Sequence, residues 1–138
     1  MPISEISGKK MPQIVNLYYK DEVFKIVGIC MEIHSILGHG FLEIVYKDAI
    51  QYELKKLQIE FEREKEFFIN YKDTILTLKF YADFVVFGNI ILEVKATENG
   101  LCDEYISRLL NYLKASGCKV GLLVNFGRSK LEFKRLVF

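Results

Sequence analysis

The sequence predicts an α/β fold, a mixed central β-sheet flanked by α-helices. Three observations predict it. Apolar residues recur at three- and four-residue spacing as far as Lys56 and then switch to alternation, so helices give way to strands. A strand, a helix and a second strand then follow from Ile90 to Phe126, the pattern of a right-handed crossover unit with parallel strands. Finally, 138 residues, 51% of them hydrophobic with eleven Phe and eight Tyr, suffice for one sizeable core but not for two.

Residues 1–20, with Gly8-Lys9-Lys10 and both prolines, read as an arm leading into a single domain over 21–138. From Glu22 to Leu37 the residues Val23, Ile26, Val27, Cys30, Met31, Ile33 and Leu37 form the apolar face of a helix that Gly38-His39-Gly40 ends. A second helix is expected over Leu42–Lys56, with Leu42, Val45, Ala49, Tyr52 and Leu54 supplying its apolar surface. Ile59 and Phe61 alternate with Glu60 and Glu62, and Phe67, Ile69 and Tyr71 continue the strand to the turn signal Lys72-Asp73. Thr74–Phe87 and Ile90–Ala96 are two further strands joined by Gly88-Asn89. A helix starting near Asp103 carries Ile106, Leu109, Leu110 and Leu113 on one face and ends at Gly117. Val120–Phe126 is a continuous apolar run, as expected of a strand covered on both faces, and Leu131–Phe138 is a last strand.

Composition removes several classes of function. Lys and Arg number 19 against 18 Asp and Glu, a net charge of +1, so no strongly basic domain announces nucleic-acid binding. The distribution is less even, because Lys114, Lys119, Arg128, Lys130, Lys134 and Arg135 face only Glu132 in the last stretch of chain. Cys30, Cys102 and Cys118 are odd in number and lack CxxC spacing, which argues against a disulfide framework and a structural zinc site and for three small core residues. No stretch offers the roughly 18 apolar residues of a membrane span, and Met1–Asn16 is too polar for a secretory core, so the expected compartment is the cytoplasm. His34 and His39, five apart across a helix end, read as structural or surface residues, and the strand aromatics as core.

One segment breaks the apolar pattern in a way that suggests chemistry. In Ile90-Ile91-Leu92-Glu93-Val94-Lys95-Ala96 an acid and a base stand two apart, hence on one face, and Asp83 interrupts the neighbouring run Phe80–Phe87. Charges in a central sheet are costly unless they are paired or bind a metal. Asp83 and Glu93 are therefore candidate ligands of a hard divalent cation, with Lys95 beside them. The alternative is a cross-strand ion pair of Asp83 with Lys95. Register separates the two. A strict two-residue loop at Gly88-Asn89 sets the carboxylates on opposite faces, whereas a three-residue loop including Phe87, or a bulge near Asp83, brings them to one side, which is the expected arrangement.

Asp83 followed by Glu93-Val94-Lys95 resembles the D…(D/E)xK core of the PD-(D/E)XK nuclease superfamily, whose restriction-endonuclease-like fold has this order of elements. Gly40-Phe41-Leu42-Glu43-Ile44-Val45-Tyr46, Asn111-Tyr112-Leu113-Lys114 and Val120–Gly127 resemble, more narrowly, its GxxExxY family; the likeness runs from about Glu22 to Phe138. The resemblance implies a Mg²⁺ site, with Mn²⁺ as substitute, made by Asp83, Glu93, the main-chain carbonyl of Val94 and Glu43, with Lys95 as the catalytic lysine. Arg108-Leu109-Leu110-Asn111-Tyr112 resembles the QxxxY motif, implying substrate contacts for Arg108 and Tyr112. Here an arginine holds the glutamine position, able either to grip a phosphate bidentately or to pair with Glu93 or Glu43. Ala82 replaces the proline of the superfamily name.

The function so implied is hydrolysis of phosphodiester bonds of DNA, ahead of RNA, with low intrinsic sequence specificity and with the basic C-terminal stretch on backbone phosphates. A rival is a catalytically silent module on the same fold that binds nucleic acid or a protein; a third reading is a subunit whose cleft is completed by a homo-oligomer or another protein.

Overall fold

The computed structural model describes residues 19–138. Of the expected N-terminal arm, residues 1–18 lie outside the described residues, and Lys20 already opens the first helix. The elements are α1 (Lys20–Leu37), α2 (Glu43–Lys56), β1 (Phe61–Tyr71), β2 (Thr74–Val86), β3 (Ile90–Lys95), α3 (Asp103–Ser116), β4 (Val120–Asn125) and β5 (Glu132–Val137). The five strands form one sheet in chain order; every neighbouring pair is antiparallel except β3 and β4, which run parallel across the α3 crossover.

The sheet separates two apolar layers. Val23, Ile26, Cys30 and Ile33 of α1 and Tyr46, Ile50 and Leu54 of α2 pack on Phe84, Val86, Leu92, Val94, Leu122 and Val124. Leu109 and Leu113 of α3 pack on Ala82, Val85, Ile91 and Leu123 on the other side. Strands β3 and β4 are buried along both faces, as their apolar runs require.

Three expectations need correcting. The buried stripe of α2 is Tyr46, Ile50 and Leu54, with Leu42 and Tyr52 exposed, because only the four-residue row through Tyr46 meets the sheet. Cys30 and Cys118 are buried but Cys102, at the N-cap of α3, is exposed; burial pushes the Cys30 thiol up to about 12. Phe68, Tyr71 and Tyr81 are exposed as well, since β1 and β2 run on beyond the three rungs that join β2 to β3 and form a two-stranded ribbon.

Two polar plugs fix the frame around the end of β3. The fully buried Asn125 accepts hydrogen bonds from the main-chain N–H groups of Thr97 (2.9 Å) and Gly127 (3.1 Å), and its amide donates to the Thr97 carbonyl (2.9 Å) and to Glu132 (3.0 Å). The buried Tyr46 stacks on Phe126 at 4.5 Å and donates its hydroxyl to the Gly38 carbonyl at 2.7 Å, tying α2 to the turn before it. His34 is structural, with Nε2 2.8 Å from the Arg128 carbonyl, and His39 is exposed.

Gly127 is required by close approach: a Cβ there would lie 2.2 Å from the Thr97 nitrogen, whereas one at Gly28, inside α1, would meet nothing within 4 Å. Gly127→Ala should therefore lower stability by about 1–3 kcal/mol or more through backbone displacement. Gly28→Ala should raise it by up to about 1 kcal/mol through helix propensity. Urea denaturation of the two variants beside wild type checks both signs.

Candidate active site

The loop between β2 and β3 contains three residues, Phe87-Gly88-Asn89, and Val86 pairs with Ile90. Phe87 adopts φ +55° to make this turn. The ladder runs from Val86↔Ile90 through Phe84↔Leu92, so Asp83 comes level with Glu93. There the two side chains replace the backbone rungs. The Asp83 N–H donates to Glu93 Oε2 at 2.8 Å, and the Val94 N–H donates to Asp83 Oδ2 at 2.8 Å. Each carboxylate thus binds the main chain of the strand opposite. The two acids meet at one place, as the three-residue loop required.

The regularity of β1 and of β2 breaks at the same level. Ala82 lies in the α3 layer and Phe84 in the α1/α2 layer, although residues two apart in a regular strand share a face. In β1, Glu64 has φ +54° between Arg63↔Phe84 and Lys65↔Ala82. Glu64 therefore stands level with Asp83, and three acids occupy one row across β1, β2 and β3.

A lysine from α2 enters this row. Lys47 Nζ donates to Asp83 Oδ1 at 2.9 Å and forms a shorter ion pair with Glu64 Oε2, with only 7% of the residue exposed. Arg63 of β1 holds α2 in place through Asp48 (2.8 Å) and Gln51 (2.9 Å). Sequence reasoning missed both Lys47 and Glu64. Neither was legible: only the docking of α2 on the sheet turns Lys47 inward, and a register shift between Phe68 and Asn70 decides what Glu64 faces.

The remaining candidates divide clearly. Glu43, the first residue of α2 and one turn before Lys47, senses Asp83, Lys95, Lys47 and Glu64, so it belongs to the same cluster. Lys95 does not pair with Asp83; its ammonium lies 4.5 Å from the centre of the Tyr105 ring, and Asp83 pairs instead with Lys47 of α2. Tyr112 stacks on Phe80 at 4.1 Å, and its hydroxyl feels the charges of Glu93 and Asp83. Arg108 pairs with neither Glu93 nor Glu43 but with Glu104, one turn earlier on α3, at 3.2 Å, because that partner is within easy reach on the same exposed helix face.

Burial and crowding set the electrostatics. Glu93 is 8% exposed, and its carboxyl is pushed up to about 8, first by burial and then by the Asp83 carboxylate, against the Asp83 N–H, Lys95 and Lys47. Glu43 is raised by burial and by Asp83 and Glu64. Burial pulls Lys47 down, but its hydrogen bonds to Glu64 and Asp83 reverse this and leave it above the usual lysine value. Burial, then Glu93, raises the Tyr112 hydroxyl. Among the described residues no three His, Cys, Asp or Glu side chains form a ready-made metal cage. The donor chemistry nonetheless fits a hard divalent cation. Glu43, Glu64, Asp83 and Glu93 face Lys47 and Lys95, which leaves a formal excess of two negative charges, and Glu93 Oε1 has no hydrogen-bond partner among the described residues.

Comparison with known proteins bears on the family and the fold. A sequence model of the PD-(D/E)XK nuclease superfamily matches residues 20–136. The chain belongs to that superfamily. Among solved structures it resembles the one titled "Crystal structure of SSO0001", with a TM-score of 0.56 and 20% sequence identity over 88% of this chain. That similarity is one of fold, and this chain spans 60% of the other chain's length. No curated protein matches. Asp83, Glu93 and Lys95, which in sequence resemble that superfamily's motif, fall on neighbouring strands at the level where the ladder opens, and Ala82 is fully buried beneath α3.

The Glu93 shift has a consequence for stability. The carboxyl holds its proton to about pH 8 in the folded chain and releases it near 4.5 in the unfolded one, so the folded state binds more protons in between. Stability from this group is present below the lower value and falls as pH rises through the window, by up to about 1.4 kcal/mol per pH unit. In metal-free buffer, the stability of wild type relative to Glu93→Gln should decline from about pH 5 to about pH 8, as measured by urea denaturation at each pH.

Proposed function

We propose that this protein is a metal-dependent nuclease of the GxxExxY family that hydrolyses phosphodiester bonds of DNA with low sequence specificity. The observation that carries the reading is the interlock of Asp83 and Glu93 at the point where β2 and β3 part, with Lys95 two residues further along. Two acids held side by side by main-chain N–H groups are poorly suited to one another and well suited to a divalent cation. Asp83, Glu93, Glu43 and the Val94 carbonyl would hold Mg²⁺, or Mn²⁺ in its place. Bound there, the ion would offset charge on a phosphate and acidify water.

The chain's own residues would do the rest. Lys95, held over Tyr105 rather than locked in an ion pair, has an ammonium available to a phosphate oxygen and to charge developing on it. Tyr112 presents its hydroxyl beside Glu93 from a ring fixed by Phe80. Arg108, in an exposed helix pair with Glu104, can exchange that partner for a phosphate with little loss. Two bases of the last stretch would extend the phosphate surface: Lys134 is exposed on the edge strand β5, and Arg128 is shared with Glu132.

The silent-module reading has one observation in its favour. Arg108, at the position of the superfamily's glutamine, is turned to Glu104 and not to the acids. Calorimetric titration with Mg²⁺ and Mn²⁺, with cleavage of single- and double-stranded DNA in parallel, decides between them. Asp83→Ala and Glu93→Ala should each abolish metal binding and cleavage, and Lys95→Ala should retain metal binding while slowing cleavage by about 10²–10³-fold. Metal and DNA binding without cleavage in wild type would leave only the silent module. Metal affinity unaffected by either acid variant would refute the site itself.

A further inference from the structure

Among the described residues Lys47 is the one base inserted into the row of acids, and its place there is built from several directions. It projects from the core-facing side of α2, next to Tyr46 and Ile50, where an apolar residue would ordinarily stand. Its ammonium sits between Asp83 and Glu64, donating to one carboxylate on β2 and one on β1. Glu64 reaches it only because the backbone there takes up φ +54°, and α2 is held at the right height by the Arg63 bonds to Asp48 and Gln51. A lysine placed in this way is neither a surface charge nor a group directed at solvent.

We propose that Lys47 is an internal counter-ion that occupies the negative field of Asp83 and Glu64 and competes with the divalent cation for Asp83. This rests on the reading of Asp83 and Glu93 as a cation site. The competition is electrostatic. Asp83 Oδ2 is engaged by the Val94 N–H and Oδ1 by Lys47, so a cation reaching Asp83 either shares a carboxylate whose other charge partner is the ammonium or displaces that ammonium. Either way two positive charges lie within a few ångströms in a partly buried cluster, where repulsion is weakly screened. Lys47 thereby permits the acids to be packed together without metal and keeps their affinity for metal low. When a cation enters, the Lys47–Asp83 pair loosens, while Glu64 remains as an alternative partner for the ammonium. Lys47 is thus a positioning residue that acts through Asp83.

The test is Mn²⁺ titration by calorimetry of wild type, Lys47→Met, Lys47→Gln, Lys47→Arg and Asp83→Ala. Methionine removes the charge at similar reach, and glutamine keeps hydrogen bonding should methionine fail to fold. The uncharged variants should bind Mn²⁺ at least about tenfold more tightly than wild type, with Lys47→Arg close to wild type. In wild type, the Lys47 side-chain NMR resonances should move on adding diamagnetic Mg²⁺. Unchanged or weaker affinity in the uncharged variants, with wild-type binding intact and lost in Asp83→Ala, would overturn the counter-ion role and leave the cation site standing. Absence of binding in every protein would remove the cation site and this inference with it.

Discussion

Two carboxylates buried side by side repel, and Asp83 and Glu93 are held together only because each accepts a main-chain N–H from the other's strand. That exchange takes over where the backbone ladder of β2 and β3 stops. It joins the strands and creates the anionic site in one step. A hydrogen bond to a charged acceptor is stronger than a backbone rung, so the sheet gains adhesion at the point where it opens. Burial, and after it repulsion from Asp83, raises the Glu93 and Glu43 carboxyls, and the bases Lys47 and Lys95 oppose this.

The rest of the fold keeps this exchange in register. Asn125 uses both amide hydrogens and its carbonyl to bind the chain just beyond Lys95 to the end of β4 and to β5. Tyr46, stacked on Phe126 and bonded to Gly38, sets the first turn of α2, so that Glu43 and Lys47, one turn apart, both meet the acids. On the other face Phe67, Phe80 and Tyr112 stack in sequence, anchoring the root of the β1–β2 ribbon to α3. The site therefore rests on strands and helices whose side chains are locked by packing, and not on a mobile loop.

In sequence Asp83, Glu93 and Lys95 resemble the PD-(D/E)XK motif, and Ala82 and Arg108 depart from that resemblance. Ala82 still occupies a fully buried position in the α3 layer, so the backbone shape at that level is set by the neighbouring Asp83–Glu93 exchange without a proline. Arg108 brings a permanent positive charge near Tyr112, where a neutral amide would bring none, and its present partner is another surface residue. Charge balance around the acids is instead met from α2, by Lys47, on the opposite side of the sheet from α3.

Periodicity and turn chemistry made every described element legible in the sequence, along with the parallel pair around the crossover, because hydrophobic spacing and Gly positions report local backbone geometry directly. Asp83, Glu93 and Lys95 were legible for the same reason: charges in apolar strands stand out. The partners of those charges were not. A two-residue turn at Lys72-Asp73, counted back along the hairpin without interruption, sets Asp83 opposite Glu62; the shift between Phe68 and Asn70 sets it level with Glu64. Likewise the apolar spacing of α2 suggested Leu42 and Tyr52 as buried, and only its docking on the sheet turned Tyr46 and Lys47 inward. The sequence by itself determined which segments are helix and strand and which charges are out of place among them. Only the tertiary structure decided which of those charges meet, because a single irregular residue in a strand, or a modest rotation of a helix, changes side-chain partners without altering the local pattern that a sequence displays.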